Sequence, residues 1–105
     1  MELKDKPTLN DIQEYVSVIE KEKGYIDNKM EKETSLLIEE VGEFFKALRK
    51  KTIIKPDHDP KFRSVDEELA DIIFHLCAIA NRMNIDLEKA FRNKDRINKK
   101  RDLNK

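Results

Sequence analysis

The sequence contains few residues that break, turn or cross-link a chain. Its 105 residues include two glycines, three prolines, one cysteine and no tryptophan. This scarcity disfavours a β-sandwich, which needs more turn, aromatic and β-branched residues than are present. The single cysteine, Cys77, excludes an internal disulfide framework and any zinc site built from cysteines. We interpret Cys77 as a packing residue.

Long apolar runs are absent as well. No stretch approaches the ~18 consecutive apolar residues of a membrane-spanning helix, so we expect no membrane partner. The opening segment, MELKDKPTLN, lacks the apolar core of a signal peptide. We therefore expect a cytoplasmic protein.

Charged residues are abundant. They make up 42% of the chain, against 38% hydrophobic residues, and 22 basic residues balance 22 acidic ones. A composition rich in Glu, Lys, Leu and Ile favours helices with charged outer faces. The length suits one compact domain. We therefore expect a single domain over residues 1–105, with flexible ends at 1–7 and 100–105.

The zero net charge conceals alternating charged blocks. The formal charge is −6 over residues 1–45, +5 over 46–65, −4 over 66–91 and +5 over 92–105. This alternation predicts acid-lined and base-lined regions that can face one ligand. It argues against a protein that binds duplex nucleic acid, because the basic footprint of such a protein usually leaves the domain positively charged.

The first predicted helix has a start signal and a stop signal. Thr8 and Asp11 are spaced as a capping box, with Asp in place of the usual Glu or Gln. Gly24 is a suitable residue to end the helix, because glycine adopts the left-handed conformation without strain. Apolar residues follow the helical period between them, at Leu9, Ile12, Val16 and Ile19.

The second and third predicted helices are separated by a segment that contains two prolines. The second covers about residues 31–51, and the segment 52–63 follows as a loop. The third begins at the capping box formed by Ser64 and Glu67. We interpret the Asp-His-Asp run at 57–59 as turn chemistry rather than as a metal site.

Apolar stripes on these two helices are expected to be buried in the core. Their members recur at the spacing of one helical face. They are Thr34, Leu37, Val41, Phe44 and Leu48 in the second helix and Val65, Leu69, Ile72, Ile73, Leu76, Ala80 and Met83 in the third. Ile38 and Phe45 lie outside the stripes. We therefore expect the chain to bury further surface against copies of itself, as a homodimer or homotetramer.

A fourth helix is predicted near the C-terminal end. Asn84 can end the third helix and Asp86 can cap the next. The apolar positions of the fourth helix are Leu87, Ala90, Phe91 and Ile97. Four amphipathic helices with short links predict an all-α fold, a four-helix bundle completed by homo-oligomerisation.

Two pairs of acids lie beside the predicted core. Glu40 and Glu43 lie about 60° and 120° to one side of Leu37 on the second helix, and Glu68 and Asp71 share a flank of the third. If the helices pack side by side, four carboxylates converge where repulsion and lost hydration disfavour them unless a cation binds. Oxygen ligands with open water positions favour Mg²⁺ or Mn²⁺ over zinc. The alternative is that both pairs are ordinary solvated faces.

These acids lie in segments that resemble a known family. LIEEVGE at 37–43 and EELADIIF at 67–74 are similar to the MazG-like group of all-α nucleoside triphosphate pyrophosphohydrolases, whose pattern is E-x-x-E followed by E-x-x-D. The resemblance continues through IDLEK at 85–89 and covers residues 24–101. The family pattern falls on Glu40, Glu43, Glu68 and Asp71.

The resemblance implies an activity and a set of roles. The reaction would be hydrolysis of a nucleoside triphosphate to monophosphate and pyrophosphate, with the four acids holding Mg²⁺ against the triphosphate. Glu39 would orient or deprotonate the attacking water, or it would be a surface glutamate. Substrate contacts would come from Lys94 and Asn98, with Arg101 on the same stripe of the basic fourth helix. Asn81 also matches a family position, although a capping or hydrogen-bonding role suits it equally.

Three other interpretations stay open. Phosphoribosyl-ATP pyrophosphohydrolase belongs to the same superfamily and has a similar E-x-x-D helix. A catalytically idle helical module, with a role in self-association, belongs to a different class of protein. His75 shares the acidic flank of the third helix, either as a partner of the metal ligands or as a structural residue.

Overall fold

The computed structural model describes residues 2–24, 29–53 and 65–103. Every regular element within these ranges is an α-helix, which confirms the all-α class. None of the helices that the structure describes is long and apolar enough to cross a membrane. The described residues form α1 (Leu9–Lys23), α2 (Met30–Ile53), α3 (Val65–Arg82) and α4 (Leu87–Leu103).

Both ends of α1 have the predicted signals. The Thr8 hydroxyl accepts a hydrogen bond from the Asp11 N–H at 3.1 Å, and the Asp11 carboxylate accepts one from the Thr8 N–H at 2.8 Å. The Thr8 backbone N–H, with the nearby Lys4 ammonium, lowers the pKa of Asp11. Gly24 ends the helix at φ +73°, in the left-handed region. The predicted capping box and the predicted stop are therefore confirmed.

The turn between α3 and α4 also agrees with the prediction from the sequence. Asn84 adopts φ +54°, which asparagine tolerates better than most residues. Asp86 caps α4 by accepting a hydrogen bond from the Lys89 N–H at 3.0 Å. The predicted cap at Ser64 and the Asp-His-Asp run at 57–59 lie outside the described residues.

The apolar core is small and lies between α1 and α3. Val16, Cys77 and Ala78 are buried at its centre. Burial raises the pKa of the Cys77 thiol, which fits the predicted packing role. Three half-buried side chains complete the core, namely Ile12, Phe74 and Leu87.

The expected burial of the apolar stripe on α3 is wrong for the single chain. Leu69, Ile73 and Leu76 are 45%, 47% and 45% exposed, and Met83 is exposed as well. Within the stripe only Ala80 is buried, while Val65 and Ile72 are half-buried. The reason is that α3 packs on α2 and α1 through the opposite side of the helix, where Cys77 and Ala78 lie beside the buried Glu68. The apolar side therefore faces outward.

Candidate metal centre

Three carboxylates converge between α2 and α3. One oxygen each from Glu40, Glu68 and Asp71 lies within 4.8 Å of the other two. Glu68 and Asp71 are three residues apart on α3, so both side chains project from one side of that helix. Glu68 is 1% exposed, and the other two acids are half-buried. Three of the four acids in the sequence pattern therefore lie in one cluster in the structure.

The donor set fits a small divalent cation. Carboxylates that lie this close together with little exposure to solvent repel each other, because burial removes the water that would screen their charges. Oxygens that coordinate one Mg²⁺ at about 2.1 Å lie roughly 3–4 Å apart, so the observed cluster is near the geometry that such an ion needs. Carboxylate oxygens without sulfur or imidazole partners favour Mg²⁺ or Mn²⁺.

The other two acids of the α2 motif lie outside this cluster. Glu43 and Glu39 are both exposed, and neither belongs to the convergent group found among the described residues. Glu43 lies about one helical turn after Glu40 on α2. Their roles as fourth ligand and as the residue that orients water stay predictions.

A second buried polar group links three helices near this centre. Arg82 of α3 places Nη2 at 2.6 Å from Glu20 Oε2 on α1 and at 3.4 Å from Glu33 Oε1 on α2. The shorter contact is an ion pair whose alignment falls short of a hydrogen bond. His75 Nδ1 lies 3.4 Å from Glu33 Oε2. We call these four residues the Arg82 network.

The sequence interpretation missed most of this network. His75 was expected either to assist the metal ligands or to be structural, and Glu20, Glu33 and Arg82 were not singled out. One signal was available, because Glu33 and Glu40 are seven residues apart, as are Glu68, His75 and Arg82. A spacing of seven keeps side chains on one stripe of a helix.

Asn81 has a defined structural role. Its amide nitrogen donates to the Gln13 carbonyl at 3.1 Å, and its side-chain oxygen accepts from Gln13 Nε2 at 2.9 Å. Gln13 also accepts a hydrogen bond from the Leu87 N–H at 3.1 Å. These bonds tie α1 to the α3–α4 turn, which corresponds to the hydrogen-bonding alternative for Asn81. Its predicted contact with substrate stays a prediction.

The basic stripe of α4 lies on the surface. Lys94, Asn98 and Arg101 are all exposed, and α4 has no buried residue. The main contact of α4 within the chain is with α1. Its polar side chains are therefore accessible to a ligand in solution.

Comparisons with known proteins agree with this geometry. The profile of the MazG nucleotide pyrophosphohydrolase domain matches residues 28–102, which contain all three converging carboxylates. Two crystal structures of iMazG from Vibrio DAT 722, Ctag-iMazG and Ntag-iMazG, are each 32% identical to the chain with a TM-score of 0.68. The first similarity covers 89% of this chain and 99% of that chain, and the second covers 90% and 97%. No curated protein matches the chain. The chain belongs to the family of MazG nucleotide pyrophosphohydrolase domains.

Proposed function

We propose that the chain hydrolyses nucleoside or deoxynucleoside triphosphates to monophosphate and pyrophosphate in a Mg²⁺-dependent reaction. This activity would remove unwanted nucleotides from the cytoplasmic pool. Family membership supports hydrolysis of a nucleotide anhydride. The observation that carries the metal requirement is the convergence of Glu40, Glu68 and Asp71 from two helices.

The acids of α2 and α3 have different roles in this proposal. Glu40, Glu68 and Asp71 hold Mg²⁺, and Glu43 adds a fourth carboxylate from the exposed side of α2. When bound, Mg²⁺ neutralises charge on the phosphoryl oxygens and lowers the pKa of a coordinated water. Glu39 accepts a hydrogen bond from the attacking water and orients it towards the α-phosphorus.

The basic side of the chain supplies the substrate contacts. Lys94, Asn98 and Arg101 share one stripe of α4, where their donors can bind phosphate or sugar oxygens. Asn81 would contribute through the α3–α4 turn that it holds in place. The positive charge of this stripe offsets the negative charge of a triphosphate, which the acids alone would repel.

The decisive experiment is a panel of triphosphates and phosphoribosyl-ATP, incubated with and without Mg²⁺. Pyrophosphate and single phosphate should be measured separately. We expect pyrophosphate release from at least one nucleoside triphosphate only when Mg²⁺ is present. Preference for phosphoribosyl-ATP would move the assignment to that branch of the superfamily. Release of single phosphate, or no hydrolysis at all, would contradict the proposal.

Lys94→Ala should mainly weaken substrate binding. A charged hydrogen bond to phosphate contributes about 1.5–3 kcal/mol, so we expect KM to rise roughly 10- to 100-fold with a smaller change in kcat. Steady-state kinetics with the preferred triphosphate would measure both constants. Lys89→Ala is the matched control, because Lys89 is exposed on another side of the same helix. Equal effects of the two substitutions would contradict a specific role for Lys94.

We further propose that the chain is a homodimer or homotetramer. The support is the outward apolar side of α3, together with the exposed Ile38 and Phe45 of α2. Exposed apolar side chains that cluster on one surface are typical of an interface.

A further inference from the structure

The Arg82 network is buried and charged, and Arg82 itself lies far along α3 from the candidate metal ligands. The side chains of Glu20, Glu33 and Arg82 are 5%, 4% and 13% exposed. Arg82 also donates from Nη1 to the Ala78 carbonyl of its own helix at 3.0 Å, which fixes the direction of the guanidinium. One side chain of α3 is thereby held against acids from both α1 and α2.

The network and the acid cluster are successive layers of one seam between α2 and α3. In one layer Glu40 meets Glu68, and in the next Glu33 meets His75. Each layer is seven residues from the other on both helices, which is about 10 Å along the axis. The residue numbers fall along α2 as they rise along α3, so the two helices run antiparallel. The position of one layer therefore determines the position of the other.

Arg82 is too far away to act on a metal ion directly. It follows Asp71 by eleven residues, which places it about 16 Å further along α3. Any effect of Arg82 on the metal centre must therefore pass through the relative placement of the helices.

The contacts of Arg82 are satisfied in only one alignment of these helices. A slide of α3 by one turn, about 5.4 Å, would separate the guanidinium from Glu33 and the imidazole from Glu33, leaving buried charges without compensation. Buried ion pairs often contribute little net stability, and their best-attested use is to specify register. A metal site between two helices requires a fixed register, because its ligand oxygens must be placed to within a fraction of an ångström.

We infer that Arg82 and Glu33 are positioning residues, which set the register of α2 against α3 and so hold Glu40 at binding distance from Glu68 and Asp71. This inference rests on the proposed metal-dependent function. It assigns the Arg82 network a role in metal affinity, although none of its members belongs to the group of converging carboxylates.

The test is to measure Mn²⁺ binding to the wild-type chain and its variants by calorimetric titration, without nucleotide. Arg82→Met keeps the length of the side chain and removes its charge, and Glu33→Gln keeps the shape of the acid. We expect each to weaken Mn²⁺ binding roughly 10- to 100-fold, the range for residues that orient metal ligands from outside the coordination sphere. Arg82→Lys should fall between Arg82→Met and the wild type. Arg92→Met, which alters an exposed arginine of α4, is the matched control and should bind as the wild type does.

Three outcomes separate the possible explanations. Each variant must be titrated well below its own melting temperature, so that loss of stability is not mistaken for loss of affinity. If Arg82→Met is folded by circular dichroism and binds Mn²⁺ as the wild type does, the inference is wrong and the network is only structural. If Arg82→Met does not fold, Glu33→Gln decides the question in the same way. If the wild type itself binds no Mn²⁺, the proposed function fails first and this inference fails with it.

Discussion

Glu68→Gln is expected to lower kcat/KM by roughly 100- to 1000-fold while leaving the helical fold intact. Glu68 is the most buried of the three converging acids, and one of its carboxylate oxygens lies within 4.8 Å of an oxygen of Glu40 and of Asp71. A neutral amide is a poor ligand for a divalent cation, and removing one charge-stabilising group from an active site commonly costs roughly 100- to 1000-fold in rate, so we expect a loss in this range. Steady-state pyrophosphate release would measure the loss.

The same variant should have a distinctive stability profile. Without metal, loss of one carboxylate relieves repulsion within the cluster, so the melting temperature should stay equal to that of the wild type or rise slightly. A ligand at 100 times its dissociation constant stabilises the folded state by about 2.7 kcal/mol, and Glu68→Gln should lose this Mg²⁺-linked gain. Inactivation caused by misfolding would instead lower the melting temperature with or without Mg²⁺.

Two further variants and one control complete this test. Glu40→Gln and Asp71→Asn should reduce turnover in the same way, because each supplies one oxygen of the cluster. Asp66→Asn removes an exposed acid from the first turn of α3, outside the cluster, and should leave the rate nearly unchanged. Near-normal turnover in two of the three cluster variants would defeat the metal assignment.

The helix ends were predictable because their causes are local. Thr8 and Asp11 are three residues apart, and so are Asp86 and Lys89, so the groups that bond each other are visible within a short stretch of sequence. The i, i+3 spacing of Glu68 and Asp71 is equally local. It indicated that both acids share one side of α3, as the structure shows.

The orientation of α3 was not predictable from the same kind of signal. A helical period shows which residues share a side, but it does not show whether that side is covered by the same chain or by another. The contacts that fix which side of α3 faces inward join residues that are distant in sequence. Arg82 meets Glu33 across 49 positions, and Gln13 meets Asn81 across 68. Such pairings depend on the packing of whole helices, which one sequence does not specify.

The outward apolar side of α3 leads to a second prediction with a large effect. The buried apolar residues found among the described part of the chain are Val16, Cys77, Ala78 and Ala80. So small a core gives a single chain little stability of its own. Full burial of a large aliphatic side chain contributes about 1.5–3 kcal/mol, so covering the exposed half of one such side chain would add roughly 1 kcal/mol. Packing a second copy against this surface would cover several such side chains, and each would add a stabilisation of this size.

Ile73→Asp is therefore expected to dissociate the proposed oligomer and to lower the melting temperature sharply. Ile73 is 47% exposed between Leu69 and Leu76, at the centre of the apolar side of α3. A carboxylate there would be dehydrated in an interface without a partner, which costs several kcal/mol or prevents association. Light scattering coupled to gel filtration would measure the mass. Wild-type protein should elute at twice or four times 12.5 kDa, with a melting temperature that rises with concentration.

The control for this prediction is Leu103→Asp, at the last residue of α4. Leu103 is 84% exposed, more than Ile73, but it lies away from the apolar side of α3. If exposure alone made an apolar residue part of the interface, Leu103→Asp would disrupt assembly at least as strongly as Ile73→Asp. We expect its mass and melting temperature to match those of the wild type. A wild-type chain that runs at monomer mass at every concentration would show that α3 can leave its apolar side in water, and the proposed oligomer would then be wrong.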